Sequence, residues 1–465
     1  MYTQDTICAV ATAQGGAIGI IRVSGPEAIT VADRIFSPAS QDGLPLSGRK
    51  PYTLTFGTIR DAGGEVVDEV LVSLFRAPHS YTGEDSVEIS CHGSSYILQQ
   101  VMQLLIRNGC RAAGPGEFTQ RAFLNGKMDL SQAEAVADLI ASSSAATHRL
   151  AMNQMKGGFS KELAALREKL LHLTSLMELE LDFSDHEELE FADRSELKAI
   201  AAQIEQVIGG LVRSFSTGNA IKNGIPVAII GETNAGKSTL LNALLNEERA
   251  IVSDIHGTTR DVIEDTMNIG GVTFRFIDTA GIRETSDTIE SLGIERSFQK
   301  LEQADIVLWV IDRSAPHPDF ARLSGQILPR CAGKHLIVVW NKADLSGTDA
   351  AASLKEVLPQ AEMISISAKA RTGIRELQDM LLRAADIPGI TQSNVIVTNV
   401  RHYEALSKAL EAIHRVQEGM DMGLSGDLVS QDLRECLFHL AEIVGGEITT
   451  DEVLGNIFKH FCIGK

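Results

Sequence analysis

The chain has 465 residues, of which 61 are acidic and 42 basic, so its formal net charge is −19. This length exceeds that of one compact domain and predicts about two to four of them. The composition, 44% hydrophobic and 22% charged, is typical of folded proteins and excludes a disordered chain. The acidic excess also excludes a protein that coats nucleic acid by charge alone, because such binding needs dense Lys and Arg facing the phosphates.

The cysteines and the apolar runs indicate the compartment. The six cysteines are scattered without CxxC pairs or metal-ligand spacing, which predicts reduced thiols. The N-terminus has no cationic stretch before an apolar one, and the longest aliphatic runs are too short to cross a bilayer. We therefore expect a cytoplasmic protein without a membrane span.

The first part of the chain alternates short β-rich runs with Gly and Pro. The alternation predicts a helix at 96–106 and strands at 18–23, 52–59, 66–75 and 87–91. We expect residues 1–117 to form a compact α+β domain.

Helical periodicity follows, and it returns near the end of the chain. Capping-box patterns at Ser131-x-x-Glu134 and Asp193-x-x-Glu196 open Ala- and Leu-rich runs. The predicted helices continue through Leu150, cover 163–181, extend to about Phe215, and return at 401–417, 429–443 and 452–461. We expect one all-α domain made of residues 118–215 and 386–465, with linkers near 217–219 and 387–389 on either side of an inserted module. The acidic run 178–196 reads most simply as a solvated helix face and loop.

The inserted module, residues 216–385, has short, wholly apolar strands separated by helical segments, the pattern of a parallel sheet covered on both faces. Gly231 to Ser238 is a Walker A sequence between a strand at 227–230 and a helix at 239–245. Its glycines let backbone amides surround the β-phosphate, Lys237 neutralises the β- and γ-phosphates, and the Ser238 hydroxyl ligates Mg²⁺.

Three further motifs follow apolar strands in the order found in translation-factor and Ras-like GTPases: 278–281 (DTAG), 341–344 (NKAD) and 367–369 (SAK). Guanine is predicted because Asp344 can accept hydrogen bonds from its N1–H and exocyclic amine, donors that adenine lacks there. Asp278 is expected to hold Mg²⁺ through water, and the Gly281 amide to contact the γ-phosphate. The substrate is therefore predicted to be GTP.

Switch I is predicted at 257–260, where Thr259 would complete the Mg²⁺ shell when GTP is bound. Lys237 and Thr259 are predicted to be catalytic, and Ser238 and Thr259 to ligate Mg²⁺. The predicted nucleotide-binding residues are Asn234, Ala235, Gly236, Lys237, Ser238, Thr239, Ser253, Asp254, Ile255, His256, Gly257, Thr258, Thr259, Asp278, Thr279, Ala280, Gly281, Asn341, Lys342, Asp344, Ser367, Ala368 and Lys369.

Hydrolysis departs from the Ras pattern. Ile282 stands where Ras-type GTPases place the Gln that orients the attacking water. Asn234 resembles the P-loop Asn of GTPases in which a K⁺ ion replaces an arginine finger. The K⁺ ligands would here be Asn234 with oxygens of Ser253, Ile255 and Thr258. The alternative is that Asn234 is only a tolerated loop residue.

The inserted GTPase module, Asn234, Ile282 and the terminal 461–465 (FCIGK) together closely resemble the MnmE family, also called TrmE, of tRNA-modification GTPases. The resemblance covers the whole chain. Many families share the GTPase motifs, and five other strings are more specific to this family. They are the terminal CIGK, 19–25 (GIIRVSG), 81–85 (YTGED), 115–118 (PGEF) and 121–125 (RAFLN).

The resemblance implies a homodimer that forms a heterotetramer with an FAD-dependent subunit, MnmG or GidA. Together they would add an aminomethyl or carboxymethylaminomethyl group at C5 of the wobble uridine of certain tRNAs. The one-carbon unit would come from 5-formyl- or methylene-tetrahydrofolate, bound by a folate-binding-like N-terminal domain that also dimerises.

The implied folate contacts are Arg22, Glu88, Lys127 and Lys465. From the residues alone, Arg22 reads equally as a surface charge and Glu88 as a solvent-facing strand residue. The resemblance places Cys462 near the active site, and the sequence leaves a chemical role for it open.

The family pattern also implies that the GTPase domains dimerise with K⁺ and GTP, and that Glu290 positions the attacking water through a bridge. On sequence alone, Glu290 could simply begin a solvated helix. The alternative function is a regulatory or ribosome-assembly switch GTPase without folate chemistry. A ribosome-bound GTPase of this kind would be expected to add a basic RNA-binding domain. Residues 126–215 and 386–465 instead carry 15 basic and 27 acidic side chains, which argues against this alternative.

Overall fold

The computed structural model describes residues 5–13, 15–40, 43–182, 194–232, 234–246, 265–277, 301–314, 325, 327–345, 361–386, 395–446, 454, 457–459, 461 and 464. The chain divides into two compact units, one of residues 1–141, 151–208 and 404–465, the other of residues 142–150 and 209–403. The finer domain boundaries at 117, 215 and 385 stay predictions.

The N-terminal part of the first unit is a seven-stranded sheet in the order β3-β4-β5-β6-β2-β1-β7. Its strands are β1 Ile7–Val10, β2 Ile18–Ser24, β3 Phe36–Pro38, β4 Leu54–Arg60, β5 Val66–Phe75, β6 Ser86–His92 and β7 Arg111–Ala112; its helices are α1 Ala28–Ile35 and α2 Ser95–Arg107. The four predicted strands and the predicted helix are confirmed. The sequence did not predict β1, β3, β7 or α1.

Strict alternation explains why β5 forms and which face it buries. Val70, Val72 and Leu74 are buried under α1 and α2, whereas Glu69 and Leu71 point to the other, open face. The sheet is antiparallel except for the parallel pair of β1 and β7. One apolar layer therefore lies between the sheet and its two helices.

The helical part of the first unit contains α3 Glu117–Leu124, α4 Leu130–Ala141, α5 Ala145–Met155, α6 Gly158–Asp182, α7 Arg194–Asn223, α10 Val400–Asp421 and α11 Gly426–Val444; α5, α7 and α10 also contain residues of the second unit. The predicted runs through Leu150, 163–181, 401–417 and 429–443 are confirmed as helical, and the first of them divides into α4 and α5. Packing of α11 against α6 and α4 buries Leu433, Cys436 and Leu440.

The start of α4 corrects the predicted capping box at Ser131. The Asp129 carboxylate accepts from the Gln132 N–H, and the Gln132 side chain accepts from the Asp129 N–H, both at 2.9 Å. This reciprocal pair satisfies two amides that a helix N-terminus leaves free. Ser131 is instead buried in the first turn and donates to Asp129. The second predicted cap, Asp193, lies outside the described residues.

The predicted linker at 217–219 is wrong, because α7 continues through it to Asn223. A Cβ built on Gly218 would lie 2.0 Å from the Val397 carbonyl oxygen. Gly218 therefore serves a close approach of two backbones within the second unit and does not break the helix. The other predicted linker, 387–389, and most of the helix predicted at 452–461 lie outside the described residues.

The second unit contains a six-stranded sheet in the order β13-β12-β11-β8-β10-β9. Its elements are β8 Ile225–Ile230, α8 Lys237–Asn246, β9 Asp265–Ile269, β10 Val272–Phe276, β11 Ile306–Asp312, β12 His335–Asn341, β13 Glu362–Ser365 and α9 Ile374–Ala384. The strand predicted at 227–230 is confirmed as part of β8, and the apolar strands predicted before the three further motifs are confirmed as β10, β12 and β13. With β11, which lies between β8 and β12, they form a parallel set. An additional edge strand, β9, pairs antiparallel with β10.

None of the helices in the described ranges is long and apolar enough to cross a membrane. Cys8, Cys91, Cys110, Cys331 and Cys436 are free thiols, as predicted for the described cysteines. Cys462 lies outside those residues.

Candidate functional site

The loop between β8 and α8 has the backbone that the Walker A sequence requires. Gly231 and Gly236 adopt φ values of +150° and +94°. A Cβ on Gly231 would lie 2.2 Å from the Val310 carbonyl oxygen, and one on Gly236 would lie 2.2 Å from Nδ2 of Asn341. Both positions therefore need glycine, for backbone conformation and for space.

The amino end of α8 is built to meet an anion. The helix begins at Lys237, so Lys237, Ser238 and Thr239 occupy the first turn, where amide N–H groups and the helix dipole favour negative charge. The Lys237 ammonium donates to the carbonyl oxygens of Gly231 and Glu232, each at 2.8 Å. The loop thus holds its cation at the place where phosphates are expected.

Asn341 joins three of the predicted motifs. Its side chain is buried, with Nδ2 donating to the Ala235 carbonyl at 2.9 Å and Oδ1 accepting from the Ala368 N–H at 3.0 Å. The P-loop, the loop after β12 and the loop after β13 are therefore held at one edge of the sheet, the carboxyl edge of its parallel strands.

Asp344 has the ionised form that guanine recognition needs. The Ser367 hydroxyl donates to Oδ1 of Asp344 at 2.5 Å, and this bond, helped by a backbone N–H, holds the pKa of that exposed carboxyl below its usual value of 3.8. Ser367 is itself fixed by backbone pairing with Thr372. An exposed, ionised acceptor on the loop that Asn341 joins to the P-loop suits the two donors on the edge of guanine.

The remaining predicted nucleotide residues lie outside the described part of the chain, and their roles stay predictions. They are the switch I residues Ser253, Asp254, Ile255, His256, Gly257, Thr258 and Thr259, the residues Asp278, Thr279, Ala280 and Gly281, and the predicted water-positioning Glu290. Among the described residues no group of three or more His, Cys, Asp or Glu side chains could hold a metal ion. The predicted Mg²⁺ and K⁺ ligands that are described are Ser238 and Asn234.

Arg22 and Glu88 lie opposite each other on β2 and β6. Nε and Nη2 of Arg22 approach Oε1 of Glu88 at 2.9 and 2.8 Å, and both side chains are partly buried. The guanidinium lies 5.3 Å from the ring centroid of Tyr81 and 5.7 Å from that of Phe118. Burial raises the pKa of Tyr81, whose hydroxyl pairs with Thr119. Arg22 is therefore part of a packed polar and aromatic cluster on the sheet.

The C-terminal segment reaches this cluster. Nη1 of Arg22 donates to the Gly464 carbonyl at 3.4 Å. Gly464 is buried with φ +94°, and a Cβ there would lie 2.4 Å from the Val10 carbonyl oxygen. Lys127 donates to the Pro78 carbonyl at 2.9 Å and packs beside Gly83. Lys465 and Cys462 lie outside the described residues.

A network that the sequence reasoning missed surrounds Arg121, which is 2% exposed. Its guanidinium makes ion pairs with Asp5 at 2.6 Å, and with Glu84 and Glu117 at 3.1 Å each. The Ser24 hydroxyl reaches Glu84 at 2.8 Å. The four N-terminal strings that carry the family resemblance thus meet in one place, and their specificity was the only sequence signal for this network.

A Walker A loop before α8, tied by Asn341 to a guanine-type NKxD loop and an SAK loop, defines a P-loop GTPase. Two family models match the chain: "GTP-binding protein TrmE N-terminus" at residues 6–127 and "MnmE helical domain" at residues 130–462. The chain belongs to the MnmE family of tRNA modification GTPases.

Full-length relatives agree. The tRNA modification GTPase MnmE of Bacteroides thetaiotaomicron is 71% identical over 99% of this chain and all of that protein. Its counterparts in Phocaeicola vulgatus and Flavobacterium johnsoniae are 64% and 52% identical, each over the whole of both chains. This chain is accordingly a GTP hydrolase of tRNA modification.

Proposed function

We propose that this chain is a K⁺-stimulated GTPase that, with an FAD-dependent partner of the MnmG type, modifies C5 of the wobble uridine in certain tRNAs. The one-carbon unit would come from a tetrahydrofolate derivative bound by the N-terminal sheet. The observation that carries the folate assignment is the Arg22–Glu88 pair, packed on two aromatic rings and reached by the C-terminal segment.

The chemistry of the cluster suits a folate. The amide edge and amino group of a pterin offer N–H donors for a carboxylate such as Glu88, and the glutamate tail offers carboxylates for basic groups such as Lys127 and Lys465. Tyr81 and Phe118 supply flat apolar surface beside them. A bound folate would supply the one-carbon unit, and these side chains would bind and orient it.

The P-loop conformation is compatible with a K⁺ site at Asn234. This residue has φ +64°, a left-handed conformation that asparagine tolerates better than most residues. A K⁺ ion there would supply positive charge beside the phosphates, where no arginine finger is predicted. Asn234 would hold the ion, with Ser253, Ile255 and Thr258 as its proposed further ligands, Thr259 completing the Mg²⁺ shell, and Glu290 orienting the water.

The homodimer proposal is supported by an apolar patch on the open face of the N-terminal sheet. Leu54, Phe56 and Leu71 are 61%, 51% and 41% exposed, and Phe56 lies directly opposite Leu71 in the strand register. Neighbouring apolar side chains of this size are typical of a surface that a partner covers. A second copy of this chain is the partner that we propose.

We propose that the partner subunit makes most of the contacts with tRNA, because basic side chains in the helical part of this chain are paired with acidic ones. Arg415 pairs with Asp432 and Glu435, and Arg434 pairs with Glu178, all at 2.6 to 2.7 Å. Basic groups neutralised in this way attract phosphates weakly. In this proposal the chain supplies the GTP-driven step and the folate site in the cytoplasm.

Titration of the full-length protein with 5-formyltetrahydrofolate tests the folate assignment. We expect saturable binding that Glu88→Ala and Arg22→Met each weaken by at least about tenfold, the loss expected for a charged hydrogen-bonding partner. Glu69→Gln, which changes an exposed carboxylate on the neighbouring strand, is the matched control and should bind like the wild type. No binding, with GTP hydrolysis intact, would favour the switch GTPase without folate chemistry.

GTP turnover in KCl and in NaCl at equal ionic strength tests the K⁺ assignment. We expect a higher kcat in KCl, because the ion supplies charge that the chain lacks. Equal rates in the two salts would contradict a K⁺-dependent mechanism while leaving the folate proposal unaffected.

A further inference from the structure

Asp312 is a partly buried acid that lies next to the guanine-recognition loop and belongs to none of the GTPase motifs. It is the last residue of β11 and lies directly opposite Asn341, the last residue of β12. The strands are also joined beyond that pair, where the Arg313 N–H donates to the Asn341 carbonyl at 3.1 Å. The sheet therefore delivers Asp312 to the start of the NKxD loop.

Both carboxylate oxygens of Asp312 have partners. Oδ1 accepts from the Ser314 N–H at 2.9 Å and from the Ser314 hydroxyl at 2.6 Å. Oδ2 forms an ion pair with Nζ of Lys342 at 2.5 Å, and the two side chains are 16% and 30% exposed. Burial acts to raise the pKa of Asp312, but the bonds from Lys342 and Ser314 outweigh it and the pKa is lowered. The acid is thus fixed in place and charged.

The backbone of Lys342 has a conformation that is unfavourable for lysine. Its φ is +63°, in the left-handed region that lysine rarely adopts. Asp344, the proposed guanine acceptor, follows two residues later, and the Leu345 N–H closes the turn onto the Lys342 carbonyl at 3.0 Å. The position of the Asp344 carboxylate therefore depends on the Lys342 backbone staying in this conformation.

We propose that Asp312 is a positioning residue for guanine recognition: by holding the Lys342 side chain, it keeps the loop that carries Asp344 in its base-reading conformation. Asp312 does not itself contact the nucleotide in this account. The inference rests on the proposed role of Asp344 and extends it to a residue outside all the GTPase motifs.

The test uses the full-length wild type, Asp312→Asn, Lys342→Ala and the double variant, with Kd for GDP measured by calorimetry. Asp312→Asn keeps the shape and removes the charge, and we expect its Kd for GDP to rise about tenfold, the loss of one charge-assisted contact. Asp379→Asn, the same change at an exposed position of α9, is the matched control and should match the wild type.

Three readouts distinguish positioning from general damage to the fold. In Asp312→Asn, the KM for GTP should rise while kcat at saturating GTP stays within about twofold of the wild-type value, because the phosphate site is not altered. The double variant should bind GDP no more weakly than Lys342→Ala alone. IDP lacks the exocyclic amine that Asp344 is proposed to bind. The ratio of the Kd for IDP to the Kd for GDP should therefore be smaller in Asp312→Asn than in the wild type.

An unchanged Kd, additive losses in the double variant, or an unchanged preference for GDP over IDP would overturn the role of Asp312. If Asp312→Asn does not fold, Ser314→Ala loosens the same carboxylate without removing its charge and should give the same pattern at smaller size. Failure of the wild type to prefer GDP over ADP would contradict the guanine assignment itself. Normal wild-type binding with an unaffected Asp312 variant would contradict only this inference.

Discussion

Asn341 donates a hydrogen bond from Nδ2 to the carbonyl oxygen of Ala235, 2.9 Å away, and thereby joins the loop proposed to read the base to the loop proposed to hold the phosphates. The other polar atom of its side chain, Oδ1, accepts from the Ala368 N–H. One buried amide therefore completes a polar network whose parts come from three separate loops. Base recognition and phosphate recognition are expected to respond together when it is altered.

The first prediction concerns Asn341→Ala. The change leaves the Ala235 carbonyl and the Ala368 N–H without their partner, and each such buried group costs about 1–3 kcal/mol. We expect a lower thermal midpoint and a Kd for GDP raised by more than about tenfold. Differential scanning fluorimetry and calorimetry with GDP measure both effects.

Asn223→Ala, at an exposed position near the end of α7, is the control and should leave both quantities unchanged. GDP affinity retained in Asn341→Ala would contradict the coupling of the loops.

The second prediction concerns Asn234→Gly. Glycine accepts the φ of +64° without strain, so the variant removes the side-chain oxygen and preserves the P-loop backbone. We expect the rate in NaCl to be retained and the additional rate in KCl to be lost. Steady-state phosphate release in the two salts is the measurement, and persisting K⁺ stimulation would show that Asn234 is only a tolerated loop residue.

The third prediction concerns Gly464→Ala. The added Cβ meets the Val10 carbonyl oxygen at 2.4 Å, so the C-terminal segment must move away from Arg22. We expect folate affinity to fall at least about fivefold, equivalent to about 1 kcal/mol. Titration with 5-formyltetrahydrofolate is the measurement.

Gly64→Ala separates this contact from simple backbone strain. Gly64 has φ +84° and no atom within 4 Å of a built Cβ, so its replacement costs only about 1–2 kcal/mol of local strain. Folate affinity should be normal in this variant. Equal affinity in the Gly464 and Gly64 variants would exclude a role for the docked C-terminal segment.

The fourth prediction is a pH dependence centred on Arg111, which pairs with Asp5 at 2.6 Å and Glu117 at 2.5 Å. Burial acts to raise the pKa of each carboxyl, but the bonds from Arg111 and Arg121, and for Glu117 also the bond from the Gly114 N–H, outweigh it. Both pKa values therefore lie below the usual 3.8 and 4.5. A pKa lowered by folding stabilises the native state above the unfolded value, and the effect is lost as the pH falls through the folded value.

Arg111→Met should therefore be less stable than the wild type at pH 7, by about 1 kcal/mol for partly exposed pairs. The difference in thermal midpoint should shrink as the pH falls below about 4, where the carboxylates protonate. Arg60→Met is the control, because Arg60 donates to the Gly64 carbonyl, which does not titrate. A difference for Arg111→Met that is independent of pH would contradict the ion-pair account.

The sequence predicted the elements whose periodicity is strong and local. The alternation of β5 predicted that strand over 66–75, the range in which it forms. The apolar runs of the second unit predicted its parallel strands, and the motifs at their ends predicted that Asn341, Asp344 and Ser367 would meet the P-loop.

The features that the sequence did not predict correctly depend on contacts in the tertiary structure. Gly218 reads as a chain break, but it allows the Val397 backbone to approach α7, a contact 179 residues away that no local pattern encodes. The sequence pattern predicts Ser131 as the helix cap, but in the structure Asp129 and Gln132 form the reciprocal pair of hydrogen bonds instead. The Asp312–Lys342 and Arg121 networks join residues distant in sequence, so only the folded chain brings their charges together.

The central claim is that this GTPase and its folate site together modify the wobble uridine of tRNA. The most direct measurement is mass-spectrometric nucleoside analysis of tRNA from cells that lack this gene and carry plasmid copies of the wild type, Lys237→Ala, Glu88→Ala or the control Glu69→Gln. The account predicts that the C5-modified wobble uridine is absent without the gene, restored by the wild type and Glu69→Gln, and not restored by either site variant. Normal levels of the modified uridine in cells without the gene, or full restoration by Lys237→Ala and Glu88→Ala, would contradict it.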